Sequence, residues 1–232
     1  MGTGMGDRWV KICGLTDPAE ALKVAQAGAS ALGFICVPSS PRHVTPAQLA
    51  ALVEPLQASP WRQVERVGVF VDADLHTLAH YGVGDRLTTL QLHGQETPAD
   101  CQRVHQRYPH LRLIKAFRIR SRGDLAAIAA YEPVVDRLLL DAYHPQLLGG
   151  TGQTLDWVTL QQFQPQRPWI LAGGLTPDNI TVALSQLNPD GIDLSSGVEI
   201  APGRKDLGRV NHLFKVLRSP QAAPPEDASL TS

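Results

Sequence analysis

Cysteine is scarce in this chain, with three among 232 residues, Cys13, Cys36 and Cys101. Their positions match no metal-ligand spacing, and an odd number leaves one thiol over in any single disulfide, so neither a zinc module nor a disulfide scaffold is indicated. A reducing, cytoplasmic setting suits that pattern. An excess of one charge sign is also lacking: 21 Lys and Arg nearly balance 22 Asp and Glu, leaving a formal charge of -1. Nothing in that balance argues for nucleic acid or an anionic membrane, although a local basic pocket remains compatible with it. No apolar run approaches the roughly 20 residues of a membrane span, and the first eight residues contain no signal-peptide core. No nucleic-acid or membrane partner is therefore expected, and the sequence leaves the choice between monomer and homodimer open.

What is present describes a globular protein. Hydrophobic residues make up 43% and charged residues 19%, too apolar for a disordered chain and too polar for a membrane one. A 25.1 kDa chain can still fold around one core, and alternating α/β barrels commonly take about 200 to 250 residues.

Short apolar or β-branched runs lie at Trp9 to Cys13, Ala31 to Cys36, Val67 to Val71, Thr89 to His93, Leu111 to Phe117, Leu138 to Asp141, Trp169 to Ala172 and Gly191 to Leu194. Helical spacing fills the intervals: Asp17 to Ala27 before a stop at Gly28, then the segments opened by Thr45-Pro46, Thr97-Pro98 and Thr176-Pro177, each a cap residue followed by proline at the first helical position. Asp74 to Ala79, Asp124 to Ala130, Leu155 to Phe163 and Asp206 to Leu217 supply the others, the stretch after the fifth strand having the weakest helical pattern. Strict alternation of strand and helix argues for parallel strands joined by right-handed crossovers. Eight such units predict a single-domain (β/α)8 TIM barrel over 9–218, with a flexible leader over 1–8 and a disordered tail over 219–232. An open doubly wound sheet is the alternative, but the Gly-x-Gly-x-x-Gly expected after its first strand is missing.

In such a barrel, reactive groups sit at the carboxyl ends of the strands. Cys13 ends the first strand before Gly14, and Lys11 shares its face, because side chains alternate along a strand. A lysine facing the barrel interior needs a partner, and Asp193, on the strand that closes against the first, is the expected one. Asp141 follows three buried leucines and faces Cys13 across the mouth. Two proton-transferring groups on opposite sides suit an isomerisation. Gly173-Gly174 and Ser196-Gly197 follow the seventh and eighth strands, where barrels bind phosphate through backbone N–H groups. Arg42, after Pro41, can clamp a carboxylate, and His93 with Gln91 faces the pocket without a second ligand at metal spacing. The remaining histidines form no cluster and read as surface residues.

Taken in order, Lys11-Ile-Cys-Gly-Leu-Thr16, Ser40-Pro-Arg42, Gln91-Leu-His-Gly94, Asp141 with Gly149-Gly-Thr-Gly152, Leu171-Ala-Gly-Gly-Leu-Thr-Pro-Asp-Asn179 and Asp193-Leu-Ser-Ser-Gly-Val-Glu199 resemble the phosphoribosylanthranilate isomerases of tryptophan biosynthesis, from about Val10 to Leu217. The resemblance implies an Amadori rearrangement of N-(5-phosphoribosyl)anthranilate without metal or coenzyme. It implies Cys13 as general base and Asp141 as general acid, Arg42 on the anthranilate carboxylate, and Gly173, Gly174, Ser196 and Gly197 on the phosphate. Lys11, His93 and Asp193 are expected to line the substrate site. The mechanism requires a raised Asp141 pKa and a lowered Cys13 pKa. Cys36 ends the strand beside Cys13, so an oxidative disulfide between them is a further expectation if the two side chains face each other. Other phosphate-gripping barrel enzymes, such as sugar-phosphate epimerases, would want paired acids or metal ligands at the strand ends. A non-catalytic binder of phosphorylated ligands would need neither Cys13 nor Asp141.

Overall fold

The computed structural model describes residues 8–119, 122–141 and 160–219. All eight expected strands form: β1 Trp9–Cys13, β2 Ala31–Ile35, β3 Glu65–Phe70, β4 Thr89–Leu92, β5 Arg112–Arg118, β6 Arg137–Asp141, β7 Trp169–Ala172 and β8 Gly191–Leu194. They lie parallel in sequence order, and β8 closes on β1 with Lys11 opposite Asp193. The sequence-based ends differ by a residue or two, as at Glu65, where a charged pair extends β3 downward into a buried cluster.

Helices α1 Pro18–Ala27, α2 Pro46–Gln57, α3 Leu75–His80, α4 Val83–Arg86, α5 Pro98–Arg107 and α6 Arg122–Ala126 occupy the first crossovers. Their starts follow local chemistry. Asp17 accepts from the Glu20 N–H at 2.8 Å, Thr45 and Gln48 cap each other, and Thr97 and Asp100 do the same; each such cap is worth about 1 kcal/mol. The weak pattern after β5 has a structural counterpart: α6 spans five residues and gives way to the 3-10 turns Ala127–Ala130 and Glu132–Val134.

Two details differ from expectation. Thr176 and Asn179 exchange backbone-to-side-chain hydrogen bonds, but the helix proper, α7, begins only at Ile180 and ends at Gln186. Between β8 and the last helix, α8 Leu207–Arg218, a two-stranded hairpin of β9 Glu199–Ala201 and β10 Arg204–Lys205 intervenes. Of the expected helix Leu155 to Phe163, residues 155–159 lie outside the described residues, as do the Gly149–Gly152 loop, the leader except Arg8 and the tail except Ser219. Arg8 itself is buried, its guanidinium donating to the Pro189 carbonyl and to Asn188.

Strand alternation sorts the core into two layers. Ile12, Leu32, Phe34, Leu90, Leu92, Leu138 and Leu140 pack outward against helix residues such as Val24, Leu49 and Leu52, each worth about 1.5–3 kcal/mol of burial. Ala31, Val67, Ile114, Ala116, Leu139 and Ile170 fill the barrel interior.

The amino ends of the strands are closed by Glu65. Its carboxylate accepts from Trp9 Nε1 at 3.1 Å, Thr89 Oγ1 at 3.0 Å, Arg112 at 2.7 Å and Arg137 at 2.9 Å, and the Arg137 guanidinium also stacks on Trp9. This cluster joins five strands at the floor and leaves the carboxyl ends for chemistry.

Candidate active site

At the carboxyl ends the interior-facing positions become polar. Cys13, Gln91, His93, Asp141, Asp193 and the Gly173–Gly174 turn line one cavity of about 260 Å³, whose apolar wall is Ile35, Val69, Leu139 and Leu175. A site of this kind, apolar with a few convergent polar groups, is what small-molecule recognition uses.

The expected Lys11–Asp193 ion pair is present at 2.7 Å. Lys11 has no exposure to solvent, and its positive charge also acts on the Cys13 thiol. The space they share depends on Gly33: a Cβ there would come to 2.7 Å from Cys13 Sγ and 2.9 Å from Lys11 Cε.

Asp141 meets the expectation of a raised pKa, first through burial and then through the negative charge of Asp193, with Arg118 pulling the other way. Cys13 does not meet the expectation of a lowered one. Its burial outweighs the attraction of Lys11 and Lys205, so its thiol pKa lies above the ordinary value. Desolvation penalises a thiolate more than two nearby ammonium groups recover, one of them being already neutralised by Asp193. His93 is pushed down to about 4, by burial first and by the charges of Lys11, Arg118 and Lys115 after it. Its Nε2 lies 3.9 Å from Asp141 Oδ2.

The expected disulfide is overturned by strand parity. Cys13 faces the cavity, whereas Cys36 belongs to the outward layer with Leu32 and Phe34, and both thiols are free. The two sulfurs leave opposite faces of the sheet and cannot meet without backbone rearrangement.

Arg42 reaches the mouth, but its fork is occupied. Nε and Nη2 donate to both oxygens of Glu199 at 2.6–3.1 Å, and Glu199 also accepts from Lys205 Nζ at 2.7 Å. Lys205 is fully buried and donates to the Cys13 carbonyl at 2.5 Å as well. Sequence reasoning did not single out this Arg42–Glu199–Lys205 network. The signal was Pro202-Gly203 between alternating residues, which marks a hairpin and places Glu199 and Lys205 side by side. His43, read as a surface residue, is half-buried and hydrogen-bonds the Tyr81 hydroxyl at 3.0 Å.

Gly173 and Gly174 both have left-handed backbone, with φ of 101° and 63°, a conformation that other residues resist, and both line the cavity. Gly174, Ser196 and Gly197 also line a second, adjoining cavity of about 380 Å³ with Thr176, Arg209 and His212. At Gly197 a Cβ would strike the Leu175 carbonyl oxygen, so the two loops touch backbone to backbone. The four expected phosphate residues are thus brought together.

Comparison with known proteins decides the family. The sequence profile described as N-(5'phosphoribosyl)anthranilate (PRA) isomerase matches residues 10–216. The chain belongs to that family. An N-(5'-phosphoribosyl)anthranilate isomerase of Synechococcus elongatus is 60% identical over 208 residues, covering 90% of this chain and 95% of the relative. The crystal structure of phosphoribosyl anthranilate isomerase from Thermotoga maritima superimposes with a TM-score of 0.76 at 32% identity, covering 90% of this chain and 98% of that one. A further isomerase of the family, solved in complex with reduced 1-(o-carboxyphenylamino)-1-deoxyribulose 5-phosphate, gives a TM-score of 0.72 at 31% identity with the same coverage. As an isomerase-family barrel the chain keeps its polar groups at the mouth, and among the described residues no helix is long and apolar enough to cross a membrane.

Proposed function

We propose that the chain catalyses the Amadori rearrangement of N-(5-phosphoribosyl)anthranilate to 1-(2-carboxyphenylamino)-1-deoxyribulose 5-phosphate, in tryptophan biosynthesis in the cytoplasm, with Asp141 as general acid and Cys13 as general base. The supporting observation is that both groups line one cavity with the Gly173–Gly174 and Ser195–Ser196 turns, so a phosphate held there places the sugar between them.

Protonated Asp141 gives its proton to the ribose ring oxygen while the anilinic nitrogen lone pair opens the ring to a protonated Schiff base. The C2′ hydrogen is thereby acidified. The Cys13 thiolate removes it, and the resulting enolamine gains a proton at C1′ and loses one from the C2′ hydroxyl, giving the ketone. The sequence is redox-neutral; it leaves Cys13 protonated and Asp141 ionised, and proton exchange through solvent restores the starting pair. Burial helps Asp141 hold its proton, as a general acid requires.

The phosphate is assigned to the backbone N–H groups of Gly173, Gly174, Ser196 and Gly197, and the anthranilate carboxylate to Arg42. Lys11 and Asp193 form the polar base beneath the sugar, and His93 stands beside Asp141. All these groups come from one chain, so a monomer suffices for turnover and a homodimer would carry two separate sites.

The test is the loss of anthranilate-type fluorescence on adding the phosphoribosylated substrate to purified protein. Turnover reduced about 10²- to 10⁴-fold in both Cys13→Ala and Asp141→Asn, with the fold retained by circular dichroism, is the expected result. Wild-type turnover in either variant would remove that residue from its role, and no turnover by the unmodified protein would remove the activity itself.

A further inference from the structure

Among the described residues, three buried polar atoms at the mouth have no hydrogen-bond partner: Gln91 Oε1, His93 Nε2 and Asp193 Oδ1. Two of them belong to residues two apart in the chain, Gln91 on β4 and His93 immediately after its end. Gln91 is 1% exposed, and its amide nitrogen lies 3.2 Å from His93 Nδ1. An amide NH2 group can only donate, so the imidazole nitrogen facing it must accept. A neutral ring that accepts at Nδ1 carries its proton on Nε2. That N–H then points to the side of the cavity where Asp141 stands, at 3.9 Å, close enough to share a substrate oxygen but too far to bond Asp141 directly.

We infer that Gln91 is a positioning residue, which holds His93 as the uncharged Nε2–H tautomer so that the ring offers a hydrogen bond beside Asp141 without placing a cation there.

The reason for an uncharged ring is electrostatic. A positive charge about 4 Å from a carboxyl group favours its ionised form, and an imidazolium at this distance would strip Asp141 of the proton it must deliver. The other charged groups around the ring come from three strands: Lys11 on β1, Lys115 and Arg118 on β5, and Asp141 on β6. Three of these four are cations and oppose a charge on His93, and burial does the same. Gln91 offers the ring no negative charge, and a carboxylate at the same position would act in the opposite direction. Glutamate would accept from Nδ1–H, pair with an imidazolium and pull a proton onto the ring, as carboxylate–histidine pairs do.

The inference rests on the reading of Asp141 as the acid, and the test separates the two. Ring 15N shifts of His93 in the wild-type protein should show Nδ1 bare and Nε2 protonated from about pH 5.5 to 9. An Nδ1–H form, or a charged ring at pH 7, overturns the tautomer assignment whatever the activity. In Gln91→Glu, His93 should become cationic at pH 7, and kcat should fall about 10²-fold, the low end of general-acid contributions, with KM within about threefold. In Gln91→Met, which keeps the volume but neither donates nor accepts, the ring should stay neutral with the two tautomers mixed, and kcat should fall less than in Gln91→Glu. Equal losses in both variants with an unchanged ring signal would show a packing role only and overturn the inference. Should Gln91→Glu fail to fold, the wild-type spectrum and Gln91→Met still decide it. If Asp141→Asn retains turnover while the wild-type ring is Nε2–H, the acid assignment fails and the tautomer stands.

Discussion

Arg42 and Glu199, 157 residues apart in sequence, meet as a forked ion pair in which Nε and Nη2 of one contact both oxygens of the other. Glu199 has a second cation, Lys205, at 2.7 Å. A substrate carboxylate that takes over the Arg42 fork therefore leaves Glu199 neutralised by Lys205 instead of bare in the interior, where an unpaired charge is strongly destabilising. Arg42→Ala is expected to raise KM about 10- to 100-fold with a smaller loss in kcat, the range for one charge-assisted bidentate contact. Steady-state kinetics on purified variant checks this, and an unchanged KM would move the anthranilate carboxylate to another cation.

Burial raises the Cys13 pKa despite two nearby ammonium groups. The substrate-free thiol should therefore alkylate slowly at pH 7 and faster only as the pH approaches and passes the ordinary thiol range, since only the thiolate attacks. Labelling by iodoacetamide, followed by mass spectrometry, measures this. Rapid labelling of Cys13 at pH 7 would show an ionised thiol. Loss of the base in Cys13→Ala is expected to cost about 10²- to 10⁴-fold in kcat.

With both groups shifted upward, kcat/KM should follow a broad bell in pH. Below the Asp141 pKa both groups hold protons and the thiol cannot act; above the Cys13 pKa neither does and the acid is spent. The acid limb should thus lie above 3.8 and the alkaline limb above 9.0, their ordinary values. Arg118, opposite Asp141 in the strand register, lowers the Asp141 pKa. Arg118→Gln should accordingly move the acid limb to higher pH. A limb that stays in place would mean that solvent screens Arg118 completely.

Glu65 is held below its ordinary pKa: burial pushes it up, but its hydrogen bond to Arg137 and the charges of Arg137 and Arg112 outweigh that. A carboxylate depressed on folding stabilises the fold above its unfolded value near 4.5 and loses that contribution as pH falls through the folded value. Glu65→Gln is therefore expected to lower stability at pH 7 by about 2–4 kcal/mol, the cost of removing one partner from a largely buried ion cluster. It should also flatten the acid side of the plot of Tm against pH. Turnover per folded molecule should be unchanged, because the floor is remote from the mouth. Thermal scans between pH 3 and 7 give the answer, and parallel curves for the two proteins would refute it.

Much of this architecture was legible in the residues themselves. Runs such as Leu138-Leu-Leu-Asp141 and caps such as Thr97-Pro98 carry their structure locally, so every strand and most helix starts could be read without a partner. Lys11 and Asp193 were also readable, because closure of an eight-strand barrel brings the first and last strands together. Other features depend on distance through space. Neither Arg42 nor Glu199 carries any mark of the other, and the balance of burial against charge at Cys13 depends on how tightly β1, β2 and β8 pack. The Cys36 expectation failed on a rule that was available: Cys36 is an odd number of residues from Gly33, the register partner of Cys13, and odd separations lie on opposite faces.

The Lys11–Asp193 pair also sets an order in time. Ribosomes deliver Lys11 early and Asp193 182 residues later, a delay of roughly 10–40 s at about 5–20 residues per second. Until then Lys11 has no counter-charge to enter a dry interior with, and the β1 segment gains nothing from burying its polar face. The last quarter of the chain therefore licenses the first strand to commit, and nascent chains stalled before Asp193 should keep Lys11 open to amine-reactive reagents that the finished barrel excludes.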